Sequence, residues 1–213
     1  MAVASPALTG AIRLADDHIV DGHINANAAI ARSKLALDVL RKYAIPLTDF
    51  RVWDAMHTVL PGTAAADDLA LVGGTFGTGS PTIQTSDLKA AGATTQRARV
   101  LVRLPAEFQS ARQVTLRFHA GMNTTIADTS CTIDVEAYES DFDGGISADL
   151  VTTAAQTINS LTSADKDFVL TTTDLVAGDW LDIRVSITCT DAATGTAVIG
   201  QFGLAQLLCD VRG

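Results

Sequence analysis

The sequence predicts a mainly β protein, an antiparallel sandwich or barrel preceded by an extended N-terminal arm and one short helix. Three observations carry that reading. Apolar and polar residues alternate with a period of two in many segments after Pro46, as in Val114, Leu116 and Phe118 against Thr115 and Arg117, which puts one face on a core and one in water. These segments are short and separated by Gly, Pro, Thr and Asp, with no helical periodicity between them. The stretch from Ile19 to Leu35 behaves differently: Ile19, Ile24, Ile30 and Leu35 fit neither a period of two nor one of 3.6.

In chain order, residues 8–25 are mixed, with an Asp-Gly pair at 21 and 22 that favours a turn. Asn27 is placed to cap a helix running to about Tyr43, although Ile30 stands where a capping box would want Glu or Gln. On its wheel Lys34, Asp38 and Arg41 form a narrow polar stripe, while Ile30, Leu35, Leu37, Val39 and Leu40 cover most of the remainder, the pattern of a helix wedged between two surfaces. Pro46 ends it. The expected organisation is therefore an arm and helix over residues 1–48 and a β domain over 49–213.

Within the β domain, strands are expected at 50–60, 69–72, 97–104, 113–120, 129–139, 150–153, 166–170, 180–189 and 197–211. The last of these is apolar on both faces, which calls for cover on both sides, and Gly200 and Gly203 within it mark a bulge or a close backbone approach. Loops at 61–68, 73–81, 90–95 and 141–147 are rich in small residues and offer contact surfaces more than chemistry.

Composition narrows the function. The chain has 213 residues and 47% hydrophobic content, enough for a substantial core. A net charge of -9 argues against gripping nucleic acid, and Arg97, Arg99 and Arg103, the nearest approach to a basic patch, read as a solvated strand face. No apolar run reaches the roughly 18 residues that a membrane helix needs. The N-terminus makes a poor signal peptide, so synthesis and folding in a host cytoplasm are expected. Cys131, Cys189 and Cys209 suit that compartment, with Cys131 and Cys189 read as small buried hydrophobes.

No motif points to catalysis or to a cofactor. Residues 74–80 resemble a phosphate loop but lack its lysine and its strand-then-helix flanks. His18 and His23 lie five apart on an irregular arm, a poor frame for zinc unless a trimer axis gathers three copies. Asp141 and Asp143 take the first and third places of a calcium loop, with Asp149 at the ninth, but the glycine falls at the fourth place and the twelfth lacks Glu; a turn explains the same residues. Nucleophile signatures are missing, and Glu107, Glu136 and Glu139 give no reason to be chosen as a catalytic pair. A non-enzymatic protein with neither cofactor nor metal is expected.

The segment Asp-Gly-His-Ile-Asn-Ala-Asn-Ala-Ala-Ile-Ala-Arg-Ser-Lys-Leu at 21–35 resembles one near the N-termini of fibre and decoration proteins of tailed bacteriophages. Asp167-Phe168-Val169-Leu170, followed by residues 175–185, is similar to a phage jelly-roll strand, turn and strand, and 50–91 and 191–196 share that look. The resemblance implies a jelly-roll trimer whose arm locks onto a partner: a capsid decoration or cement protein on the virion surface, bound to the major capsid protein, with no nucleic-acid or membrane partner. A tail or head-fibre protein with receptor- or glycan-binding loops is the alternative. Acidity suits the outside of a shell better than its DNA side. The expected interface residues are Ile19 and Ile24 in an extended segment, Ile30, Leu35, Leu37 and Leu40 in the helix, and Phe202 and Leu204 in the doubly apolar strand.

Overall fold

The computed structural model describes residues 38–140, 143–192 and 196–212. Its strands are β1 (Asp38–Ala44), β2 (Arg51–Val52), β3 (Ala55–Val59), β4 (Ala70–Val72), β5 (Thr82–Gln84), β6 (Thr94–Arg103), β7 (Val114–Met122), β8 (Ser130–Ser140), β9 (Gln156–Thr157), β10 (Ala164–Val169), β11 (Trp180–Thr190) and β12 (Gly200–Arg212), with one 3-10 turn at Leu47–Asp49.

They form two antiparallel sheets. One, sheet A, runs β10-β7-β12-β5-β4, with β1 pairing the C-terminal half of β12; the other, sheet B, runs β3-β2-β6-β11-β8-β9. The six longest strands after β5 alternate between the sheets in chain order, so β6, β8 and β11 lie in sheet B and β7, β10 and β12 in sheet A. Each connection thus crosses the core, and the result is a jelly-roll-like sandwich. The fold class is the one the alternation predicts.

Packing follows from the same alternation. Val114, Leu116, Phe118 and Ala120 of β7 face Ile133, Val135 and Ala137 of β8 and Ile183, Val185 and Ile187 of β11 across one continuous core. Phe118 stacks edge-on against both Phe168 of β10 and Phe202 of β12, with ring centroids 6.2 and 5.3 Å away, and Phe202 reaches Phe50 at 5.5 Å. This aromatic chain ties the 3-10 turn to three strands of sheet A. Gln96, a polar residue facing the core at 1% exposure, has both ends satisfied: its carbonyl accepts from the Ser86 N–H at 2.7 Å and its amide donates to the Ala66 carbonyl at 2.9 Å.

Four features depart from the sequence reading. Residues 38–43, expected as the end of a helix, are strand: β1 pairs in register with β12, Val39 opposite Val211 and Tyr43 opposite Leu207. A segment this short carries little helical preference of its own, and the open edge of β12 supplies hydrogen bonds that decide its conformation. The sandwich therefore includes residues placed before the expected boundary at 49. The segment expected as one strand over 50–60 is instead the hairpin β2–β3, turning at Trp53 and Asp54. Residues 150–153 contribute a single bridge, Val151 to Leu170, while β5 and β9 are additional short strands.

The fourth departure concerns Cys131 and Cys189, which face each other across β8 and β11 and form a disulfide. Both are fully buried, as expected, but not as independent thiols. Their 58-residue separation hides a pairing that the register makes direct. Cys209 is the free thiol, and burial beside Asp210 pushes its pKa up to about 11.

Both glycine expectations in β12 hold. The register against β7 shifts between Phe202 and Leu204, placing a bulge at Gly203. At Gly200 a Cβ would stand 2.8 Å from Ile187 Cγ2 and 3.3 Å from the Cys131 sulfur, so the strand lies against the disulfide with room for hydrogen only.

Candidate functional site

The sandwich presents two outward faces of different character. Sheet A carries two of the expected interface residues on its outer side. Leu40 is 48% exposed on β1 and Leu204 37% exposed just past the bulge of β12. Their register partners, Asp210 and His119, place them six residues apart along β12, roughly 20 Å at the rise of a strand, so they share a face without touching. Between them Leu208 is buried, and beside them Arg117 donates to both oxygens of Asp167 at 2.6 Å while His119 bonds Asp165 at 2.8 Å. Those contacts, the His119 hydrogen bond first, hold the Asp165 carboxyl below its usual range.

Phe202 belongs to the core, at 0% exposure, and cannot meet a partner; the sequence reading placed it at an interface with Leu204, whereas the bulge turns Phe202 inward and Leu204 outward. Ile19, Ile24, Ile30, Leu35 and Leu37 lie outside the described residues, as do His18, His23 and Asp141. Asp143 accepts from the Gly145 N–H at 2.9 Å in a local turn, and one Asp149 oxygen accepts from the Ala137 and Val151 N–H groups, which ties its loop to β8. Among the described residues no group of three or more His, Cys, Asp and Glu could hold a metal ion.

Phe76 stands wholly exposed in the β4–β5 loop of sheet A. The loop is held by a turn in which the Thr78 and Gly79 N–H groups donate to the Thr75 carbonyl, and by Gly74 at a φ of 68°. A Cβ there would fall 2.6 Å from the Gly79 carbonyl oxygen, so only glycine closes the loop.

The outer face of sheet B exposes Leu101 of β6 and Val59 of β3 and carries an ordered set of charges around β11. Because Leu181, Ile183 and Val185 point inward, Trp180, Asp182 and Arg184 point outward from β11, flanked by Arg99 of β6 and by Glu136 and Tyr138 of β8. Arg99 grips Asp182 with two parallel hydrogen bonds, one at 2.6 Å, and Arg184 pairs with Glu136. Trp53, at the β2–β3 turn, leans over this floor. Its indole N–H donates to Asp67 at 2.9 Å, and the guanidiniums of Arg97 and Arg184 lie 5.3 and 5.6 Å from its ring centre.

Together Trp53, Asp54, Tyr138 and Ile146 rim a cleft of about 300 Å³ floored by Arg99, Asp182 and Arg184. Burial, then the charge of Glu136, raises the Tyr138 pKa, so its hydroxyl stays protonated. The sequence reading saw the arginines of β6 but neither their counter-charges nor the tryptophan. The alternation of Asp182 and Arg184 with Leu181 and Ile183 held part of that signal; the cross-strand register held the rest.

No family model and no curated protein matches the chain. Solved structures give distant likenesses. The chain is similar to a chain in the structure of infectious bursal disease virus, Gx strain, at 17% identity and a TM-score of 0.40, covering 82% of this chain and 32% of that one. It is similar to a xylan-binding domain from Paenibacillus barcinonensis at 11% identity and a TM-score of 0.36, covering 68% and 82%. The enzymatically active domain of a bacteriophage CBA120 tailspike matches at 12% and 0.35, covering 82% and 20%. These neighbours differ in function, and the reading below rests on this chain's own residues.

Proposed function

We propose that this protein is a structural component of a virion, a decoration or cement protein that binds the major capsid shell as a homotrimer and stabilises it without catalysis. The observation that carries the reading is that exposed apolar side chains stand on the sheet the N-terminal segment leads into, although sheet B also exposes Val59 and Leu101. A sandwich with a complete core of its own leaves Leu40, Leu204 and Phe76 uncovered there. The chain enters this sheet at β1, shortly after the segment 21–35 whose sequence resembles one near the N-termini of phage fibre and decoration proteins. Three such arms on one rigid trimer would bind a shell with an avidity that no single copy reaches.

Truncation before Asp38 tests it. Full-length protein should co-sediment with capsids that lack it, and the form missing residues 1–37 should fold yet remain in the supernatant. Equal sedimentation of the two forms would sink the proposal. The aromatic cleft of sheet B favours a second reading, a tail or head-fibre protein that binds a receptor or glycan. Copy number separates the two, hundreds per virion for decoration against a few to a few tens for a tail or fibre part.

A further inference from the structure

The cleft on the outer face of sheet B has the composition of a ligand site, and nothing in the shell-binding reading uses it. Its floor consists of charges already paired: Arg99 with Asp182, both lining the cleft, and Arg184, whose partner Glu136 lies outside the lining. Pairing fixes the side chains, since Asp182 is only 12% exposed and each guanidinium about a third. It also neutralises them, so the floor offers adjacent N–H donors and carboxylate lone pairs without a net field for a free ion.

The rim supplies the complementary half. Trp53 is held by its bond to Asp67 and by the guanidiniums of Arg97 and Arg184, the latter a cleft residue itself, which fixes the indole at the cleft wall. Tyr138 adds a second aromatic ring with a protonated hydroxyl, and Ile146, 59% exposed, adds an apolar lip. The volume is at the small end of the range for ligand sites, about 300–1,000 Å³.

Three ligand classes fit such a surface badly. An anion would meet Asp54 and Asp182; a cation would meet Arg99 and Arg184. A wholly apolar molecule would bury the paired floor without replacing its water. A sugar ring fits both halves. Each hydroxyl donates and accepts at once, as a guanidinium beside a carboxylate requires, while the C–H face of the ring can lie against an aromatic side chain. From this we infer that the Trp53–Tyr138 cleft is a binding site for an uncharged saccharide, with Trp53 and Tyr138 as its aromatic wall and the Arg99–Asp182 pair and Arg184 as the hydroxyl-reading floor.

The test uses full-length protein and an array of neutral hexose and N-acetylhexosamine oligosaccharides, with sialylated and sulfated oligosaccharides as the charged arm. Neutral probes should bind, and in a ¹⁵N-labelled sample the best of them should shift the Trp53 indole N–H resonance. Trp53→Ala should weaken that probe at least tenfold. Ile146→Glu, at an exposed lip position, should also weaken it while leaving the thermal unfolding midpoint unchanged, so loss of binding cannot be ascribed to unfolding. An array without neutral binders, a preference confined to the charged arm, or equal affinity in wild type and Ile146→Glu would overturn the assignment. None of these readouts involves capsids, so the result stands apart from the shell-binding proposal.

Discussion

Cys131 and Cys189 sit at facing positions of β8 and β11, deep in the core, and close a loop of 58 residues. In the chain-entropy account a loop of that length stabilises the fold by about 4 kcal/mol. Replacing both cysteines by alanine should lower the free energy of unfolding by about 2–4 kcal/mol, read from urea denaturation, and reduction of the wild type should lower it in the same direction. Cys209 should stay unmodified by alkylating reagents in the native protein, because its thiolate is disfavoured by burial. A second residue-scale expectation concerns Phe202, whose ring joins Phe50 to Phe118. Phe202→Ala should cost about 3–5 kcal/mol, measured in the same way, where an interface residue would cost the isolated protomer little. Asp134 gives a signed pH effect. Burial first, then repulsion by Glu136 and Asp149, raises its pKa. With the folded value above the unfolded one, its contribution is fully present below the ordinary aspartate range, about pH 3.9, and is lost as pH rises through the raised value. Asp134→Asn should therefore raise the unfolding midpoint at pH 7 and leave it unchanged well below that range. Its carbonyl can still accept from the Val135 N–H that Asp134 holds at 3.0 Å.

Elements show where the sequence could be read and where it could not. Strands β6, β7, β8 and β11 announce themselves because each has nine or more residues with one face buried, long enough for the period of two to stand out. β5 and β9, with three and two residues, carry no period at all and exist because neighbouring edges were free to pair. β1 is the instructive miss. Val39, Leu40 and Tyr43 fit a helical wheel as well as a strand, and only the unpaired C-terminal half of β12, distant in sequence, decides between them. The cleft of sheet B fell outside the sequence reading for the same reason. Arg99 and Asp182 are 83 residues apart, and their pairing needs the register of β6 on β11. The strand assignment has its own test. Removing residues 1–44 should expose the edge of β12 from Gln206 to Arg212 and leave Leu207 uncovered, so that this form unfolds at a lower denaturant concentration than one missing only residues 1–37. A helix packed outside the sandwich would make the two truncations equal.

At the scale of the molecule, the two outward faces are separated by the whole thickness of a sandwich, about 10 Å between sheets. Leu204 lies on sheet A and Trp53 at the β2–β3 turn of sheet B, and substitutions on opposite sheets without shared partners act independently. If sheet A is the side that binds a shell and the cleft of sheet B takes a saccharide, the two activities must be separable by mutation. Leu204→Asp puts a charge on an exposed apolar position that a dry interface would have to desolvate, a cost of several kcal/mol at a buried contact. It should reduce capsid co-sedimentation more than tenfold and leave saccharide affinity as it was. Trp53→Ala should do the reverse, abolishing the saccharide response while sedimentation with capsids persists. The two measurements also report on orientation, because a saccharide-coated bead should capture decorated capsids only when the cleft faces outward from the shell. Capture by wild-type particles and its loss in Trp53→Ala particles of equal decoration would place sheet B on the outside, whereas a single variant that removed both activities would show that one face does both jobs.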